Sequence, residues 1–179
     1  MPNPSPSNYP DIGTLGEDLV SQWLESCGWK ILHRRWRCRW GEIDIIAEYL
    51  GKEGKDSQER ATQGESDISV SAGNRHLTLA FIEVKTRSAG SWDTGGRDAI
   101  TPRKQEKLVR AAQMYLAKYP EKSDFNCRFD VAIAFAQKAS EYNNTNNYFE
   151  SIASVSTPNH FLMLQEYIPG AFDSLIDNW

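Results

Sequence analysis

Glu83 and Lys85 stand two residues apart inside the apolar segment Leu77–Arg87, LTLAFIEVKTR. In an extended chain such residues leave the same face, with Cα atoms roughly 6.5–7 Å apart. Ile82 and Val84 then face the other way and anchor the segment. A second acid, Asp44, lies in the equally apolar stretch GEIDIIA. A carboxylate in such a strand is costly unless it is paired or binds a metal. If the two strands are neighbours, Asp44 and Glu83 share a hard cation through oxygen ligands. Magnesium (or manganese) fits, since it is held by one or two carboxylates, water and substrate phosphate. Glu17, from a helix, would complete the set of acids. Such a centre lowers the pKa of a bound water and neutralises charge on a phosphate. Lys85 would orient that water or stabilise the charged transition state. Taken singly, E-x-K on a strand is more often an ordinary surface ion pair, and a lone Asp44 a satisfied buried polar group.

The elements that must position these residues follow from periodicity. Leu15, Leu19, Val20, Trp23, Leu24 and Cys27 form one apolar stripe at helical spacing, which predicts a helix over about Thr14–Cys27, stopped by Gly28. Glu17 sits at the edge of that stripe, whereas Asp18 and Glu25 project to the far side. Strands are expected over Trp29–Arg35 and Gly41–Glu48, the latter with Ile43, Ile45 and Ala47 on one side and Glu42, Asp44 and Ile46 on the other. Residues 51–76 are polar and glycine-rich and read as a mobile insertion between strands. Leu77–Arg87 is the clearest strand, and Ser88–Gly96, with Trp92, a glycine-rich loop. Thr101 and Pro102 have the chemistry of an N-cap and first helical residue. Leu108, Val109, Ala112, Tyr115, Leu116 and Tyr119 give that second helix its buried stripe, closed by Pro120. Strands at Arg128–Phe135, Tyr148–Ala153 and His160–Ile168 follow, with a polar loop at Ser140–Asn147. The order of helix, strands, helix, strands predicts an α/β domain with a mixed sheet.

At 179 residues the chain suits a single domain over about 12–179, with a Pro-, Asn- and Ser-rich tail at 1–11 that lacks the features of a signal peptide. No apolar run reaches the roughly 18 residues of a membrane span. Cys27, Cys38 and Cys127 form no CxxC pair, which favours a reducing cytoplasm over a disulfide framework. His33 and Cys38 lack a second ligand pair at zinc spacing. The net charge of -4 is unevenly spread: residues 48–67 carry -3 and residues 121–179 carry -5, leaving +4 on the rest, which contains the candidate site. A local basic surface tracks phosphates even on an acidic protein.

GTLGED, GEIDIIA, FIEVKTR, TPRKQEKLVRAAQMYLA and RFDVAIAF, in that order, resemble the YraN-like family of endonuclease-like proteins. The likeness covers about 12–50 and 77–135, with a weaker HFLMLQEYIPGAFD end. It implies membership of the PD-(D/E)xK nuclease superfamily, similar to archaeal Holliday-junction resolvases, and so a restriction-endonuclease-like mixed central sheet flanked by helices. By position, Asp44 becomes the motif aspartate, Glu83 and Lys85 the E-x-K pair, and Glu17 the helix acid. The superfamily's further polar residue on the following helix falls on Lys104 or Gln105. The implied activity is Mg²⁺- or Mn²⁺-dependent hydrolysis of DNA, including branched forms. The resolvase likeness suggests a homodimer. Two departures stand out: the 51–76 insertion, and Ile43 where the motif has proline.

The run WKILHRRWRCRW, Trp29–Trp40, alternates aromatics with Arg34, Arg35, Arg37 and Arg39. It suits a phosphate backbone and stacked bases, or equally a solvated strand edge with snorkelling arginines. Arg87 and Arg103 extend the basic set, and Arg97, Lys104, Lys107 and Arg110 either join it or form a solvated helix face. Arg128 and Asp130 share a strand face as a structural pair, and Tyr115 and Tyr119 belong to packing. Two other functions fit the same fold: a non-catalytic nucleic-acid-binding module, and a protein-interaction scaffold.

Overall fold

The computed structural model describes residues 11–51, 77–88, 100–142 and 150–173. The expected tail up to residue 10, the insertion from residue 52, Trp92 and its loop, Arg97, and the polar stretch from residue 143 with Tyr148 lie outside the described residues.

Helix α1 spans Ile12–Ser26 and buries Leu19, Val20 and Leu24. It ends at Gly28, whose φ of +86° glycine adopts without strain. The chain turns there, and the Trp29 N–H reaches back to the Leu24 carbonyl at 3.0 Å. Strands β1 (Lys30–Cys38), β2 (Gly41–Tyr49) and β3 (Thr78–Ser88) follow. Helix α2, Pro102–Lys118, has Thr101 as its N-cap, the hydroxyl accepting the Lys104 N–H at 3.3 Å. After a 3₁₀ turn at Pro120–Lys122 come β4 (Asn126–Lys138), the short α3 (Ala139–Tyr142), β5 (Ala153–Ser156) and β6 (His160–Phe172).

The six strands form one sheet in the order β1-β2-β3-β4-β6-β5. Only β3 and β4 run parallel; every other pair is antiparallel. The β3–α2–β4 crossover lays α2 over one face, on Leu79, Phe81, Phe129 and Val131, while α1 covers Ala80, Ile82, Ala132 and Leu164 on the other. Burial on both faces explains why β3 reads as an unbroken apolar run. This mixed α/β sheet between helices is the restriction-endonuclease-like arrangement.

Several expectations need correction. β1 continues to Cys38 and β4 and β6 are longer than the apolar runs suggested, because pairing with neighbours carries the ladder into polar sequence. The short strand starts only at Ala153, where Ala153–Ser156 pairs with Phe161–Leu164. Ser140 lies in the helical turn α3 rather than in a loop. Ile43 does not share a face with Ile45 and Ala47: it packs with Ile46 on the α2 side. The β2–β3 register runs from Ile45↔Ile82 to Tyr49↔Thr78. At Asp44 the carboxylate takes the N–H of Val84, and strict alternation breaks there.

Candidate nuclease site

The sheet brings Asp44 and Glu83 together at one end. β2 enters the sheet there, and β3 leaves it. Glu83 is 3% exposed, and Asp44 is half-buried. The Val84 N–H donates to Asp44 Oδ2 at 2.8 Å. That bond and Lys104 favour the carboxylate, but burial and the neighbouring Glu83 outweigh them and push the Asp44 carboxyl up to about 7. Two acids in one partly dry space cannot both ionise cheaply, and a cation between them removes the conflict.

Two amines already lean on Glu83. Lys85 Nζ lies 3.0 Å from Oε1, as the E-x-K spacing implies. Lys104, in the first turn of α2, brings its Nζ to 2.9 Å from Oε2. That approach is off the hydrogen-bond direction, so Oε2 is a buried oxygen with charge beside it but no directed donor. Gln105 turns instead to the Ile100 carbonyl, 3.3 Å away, and braces the helix start. Of the two residues expected to serve from α2, Lys104 reaches the acids and Gln105 does not.

Glu17 behaves differently. It is buried on α1, 7% exposed, and its carboxylate is gripped by Arg35. Arg35 Nε donates to Oε2 at 2.8 Å and Nη2 to Oε1 at 3.0 Å, and Nη2 also donates to the Thr14 hydroxyl at 2.7 Å. Arg34 stands 3.8 Å from Glu17 and 2.5 Å from Asp18. Among the described residues no group of three His, Cys, Asp or Glu side chains gathers as a metal-holding cluster. Three acids were expected to converge; the geometry assembles two, with the third held by an arginine. The two that meet still fit Mg²⁺, whose protein ligands are commonly one or two carboxylates.

Glu17 nonetheless stays close enough to Asp44 for its charge to help push that carboxyl up. A Cβ built on Gly16 would lie 2.0 Å from Thr86 Oγ1, so α1 touches β3 at the residue after Lys85. Only glycine permits that approach. Thr86 Oγ1 is itself buried without a hydrogen-bond partner. Neither contact was read from the sequence, although the glycine beside Glu17 was the available signal.

The basic run divides its labour. Trp36 packs edge-on against Tyr115, ring centroids 5.5 Å apart, and His33 lies against Tyr115 and Tyr119, so both are used in packing. The arginines face acids or solvent. Arg37 pairs with Glu42 at 2.9 Å, and Arg39 and Arg110 lie over the Trp40 ring at 5.2 and 4.5 Å. Arg103 and Lys107 are exposed on α2, and Arg87 is half-buried two residues beyond Lys85.

A different kind of buried acid sits elsewhere in the sheet. Asp130, 1% exposed, accepts hydrogen bonds from the Tyr167 hydroxyl (2.6 Å), the Gly170 N–H (2.9 Å) and Arg128 Nε (3.1 Å). The Arg128–Asp130 pair is structural, as expected. Glu48 is held by Lys30 at 3.2 Å and by Lys122. Burial raises its carboxyl, but the two lysines prevail and hold it below the usual carboxylate range.

Comparison with known proteins adds a family. The profile described as "Uncharacterised protein family UPF0102" matches residues 16–134. A UPF0102 protein of Trichormus variabilis is 47% identical over 168 residues, covering 93% of this chain and 97% of its own. One from Synechocystis is 38% identical over 170 residues, covering 90% and 97%. A third, from Thermosynechococcus vestitus, is 37% identical over 127 residues, covering 71% and 82%.

Proposed function

The chain belongs to the UPF0102 family, and from that premise and the geometry of its site we propose that it is a metal-dependent nuclease that hydrolyses phosphodiester bonds of DNA. One observation carries this reading: Asp44 and Glu83 repel each other in a largely buried space, Glu83 Oε2 is buried without a directed donor, and two lysines stand alongside. Mg²⁺ or Mn²⁺ bound there would supply an activated water and neutralise charge on the phosphate. Asp44 and Glu83 would hold the ion. Lys85 stays fixed on β3 and stabilises charge developing on the phosphoryl oxygens. Lys104 leaves Glu83 for the phosphate. Arg34, Arg35, Arg37, Arg39, Arg87 and Arg103 track the nucleic-acid backbone, a sequence-independent role. No helix among the described residues is long and apolar enough to cross a membrane, and the three cysteines are free, which suits work in a reducing cytoplasm.

The test is incubation of pure protein with labelled linear, flapped and four-way DNA in Mg²⁺ or Mn²⁺. Cleavage is expected with the natural chain and not with Glu83→Ala or Asp44→Asn. Failure to cut any substrate, or equal cutting by Glu83→Ala, removes the enzymatic reading. One observation favours a second reading: Lys85 and Lys104 together already neutralise Glu83. A non-catalytic DNA-binding module would show steep salt dependence and no response to metal.

A further inference from the structure

Arg35 is the one non-glycine residue with positive φ among those described, at +50°. This conformation is disfavoured for a long side chain, and it persists only where the surroundings fix it. Its guanidinium is tied to α1, donating three hydrogen bonds there: two to Glu17 and one to Thr14. The fork that fits a carboxylate side-on also fits two oxygens of a phosphodiester. The two partners are unequally accessible. The Arg35 side chain is 42% exposed, while that of Glu17 is 10% exposed. A backbone phosphate can therefore approach the arginine from solvent, whereas Glu17 has to find its next partner inside the protein.

That partner is close on the Asp44 side: the Glu17 charge helps to push the Asp44 carboxyl up, and Gly16 holds α1 directly against Thr86 of β3. Arg34 is no substitute for Arg35, since at 3.8 Å it is beyond hydrogen-bond reach of Glu17 and is engaged with Asp18. We propose that Arg35 is a positioning residue that holds Glu17 away from the Asp44–Glu83 pair until a DNA phosphate takes the guanidinium, after which Glu17 joins the two acids around the cation. The inference rests on the nuclease reading and specifies its regulation: the ion and the nucleic-acid backbone bind cooperatively, each strengthening the other by the same factor. An incomplete ligand set without DNA would keep the ion loosely held until substrate arrives.

Calorimetric titration with Mn²⁺ tests this, without and with a short phosphorothioate-linked DNA duplex that resists hydrolysis. Without the duplex, Arg35→Gln is expected to bind Mn²⁺ about tenfold more tightly than the natural chain, since Glu17 is released. The duplex should tighten Mn²⁺ binding by the natural chain to a similar degree and that of Arg35→Gln far less. In the double variant Glu17→Gln/Arg35→Gln the gain should vanish, which separates release of Glu17 from simple removal of a positive charge. Equal Mn²⁺ affinity of Arg35→Gln and the natural chain, or a gain that survives in the double variant, overturns the proposal while leaving the two-acid site standing. Absence of Mn²⁺ binding by either protein, with and without duplex, removes the metal site and the proposal together. Should Arg35→Gln fail to fold by circular dichroism, Arg35→Lys keeps the charge but loses the fork, and the same comparison applies at reduced size.

Discussion

Asp130 and Asp44 are both acids set into an apolar sheet, yet the protein treats them in opposite ways. Asp130 lies deeper and is fully served by Tyr167, Gly170 and Arg128. Among the described residues Asp44 has one directed donor, the Val84 N–H, and a like charge opposite. A buried carboxylate with its lone pairs filled is a structural member. One left facing another carboxylate is a standing cost, and such costs cluster where something else is meant to bind. Burial alone does not mark a site; unresolved burial does.

The largest effect that could break this contrast is at Asp130. Asp130→Ala takes the shared acceptor away from a half-buried arginine, a half-buried tyrosine hydroxyl and the Gly170 N–H, and is expected to lower stability by about 2–4 kcal/mol in urea unfolding. A loss below about 1 kcal/mol would mean that the cluster does not support the fold. Asp44→Asn should go the other way at pH 8. It keeps an acceptor for Val84 and removes the repulsion with Glu83, so a gain of about 1–3 kcal/mol is expected, read as a higher Tm. Destabilisation instead would mean that the Asp44 charge supports the fold.

The pH dependence sharpens the same point. The folded-state pKa of Asp44, about 7, lies above its ordinary 3.8. Below pH 4 the group is protonated in both folded and unfolded chains and costs nothing. Between about pH 4 and pH 7 the unfolded chain releases the proton while the folded chain keeps it. Stability from this residue is therefore lost across that window and stays lost above it. The difference in Tm between the natural chain and Asp44→Asn should be small near pH 4 and widen to pH 8. The smallest expected effect is at Tyr167→Phe, which removes one donor from Asp130 and should cost about 1–2 kcal/mol.

Much of this was legible in the chain. The apolar run around Glu83 identified β3, its two-residue alternation put Glu83 and Lys85 on one patch, and Thr101–Pro102 marked the helix that delivers Lys104. What escaped depends on partners distant in sequence. Ile43 changes face next to the point where the Asp44 side chain takes a backbone donor forty positions away. The Arg35–Glu17 clamp needs a backbone angle that no periodicity announces. Tyr167 and Gly170 reach Asp130 only because β6 pairs beside β4. Local pattern fixes elements; which acid is satisfied is decided between elements.

The contact between Gly16 and Thr86 sets a gauge for the whole end of the molecule. The second turn of α1 rests on the strand with nothing thicker than a hydrogen between them, so the height of Glu17 above the sheet is the thinnest that chemistry permits. A single methyl group there would act as a shim, lifting the helix and carrying Glu17 away from the sheet. The reach of that acid is thus determined by a side chain the protein does without.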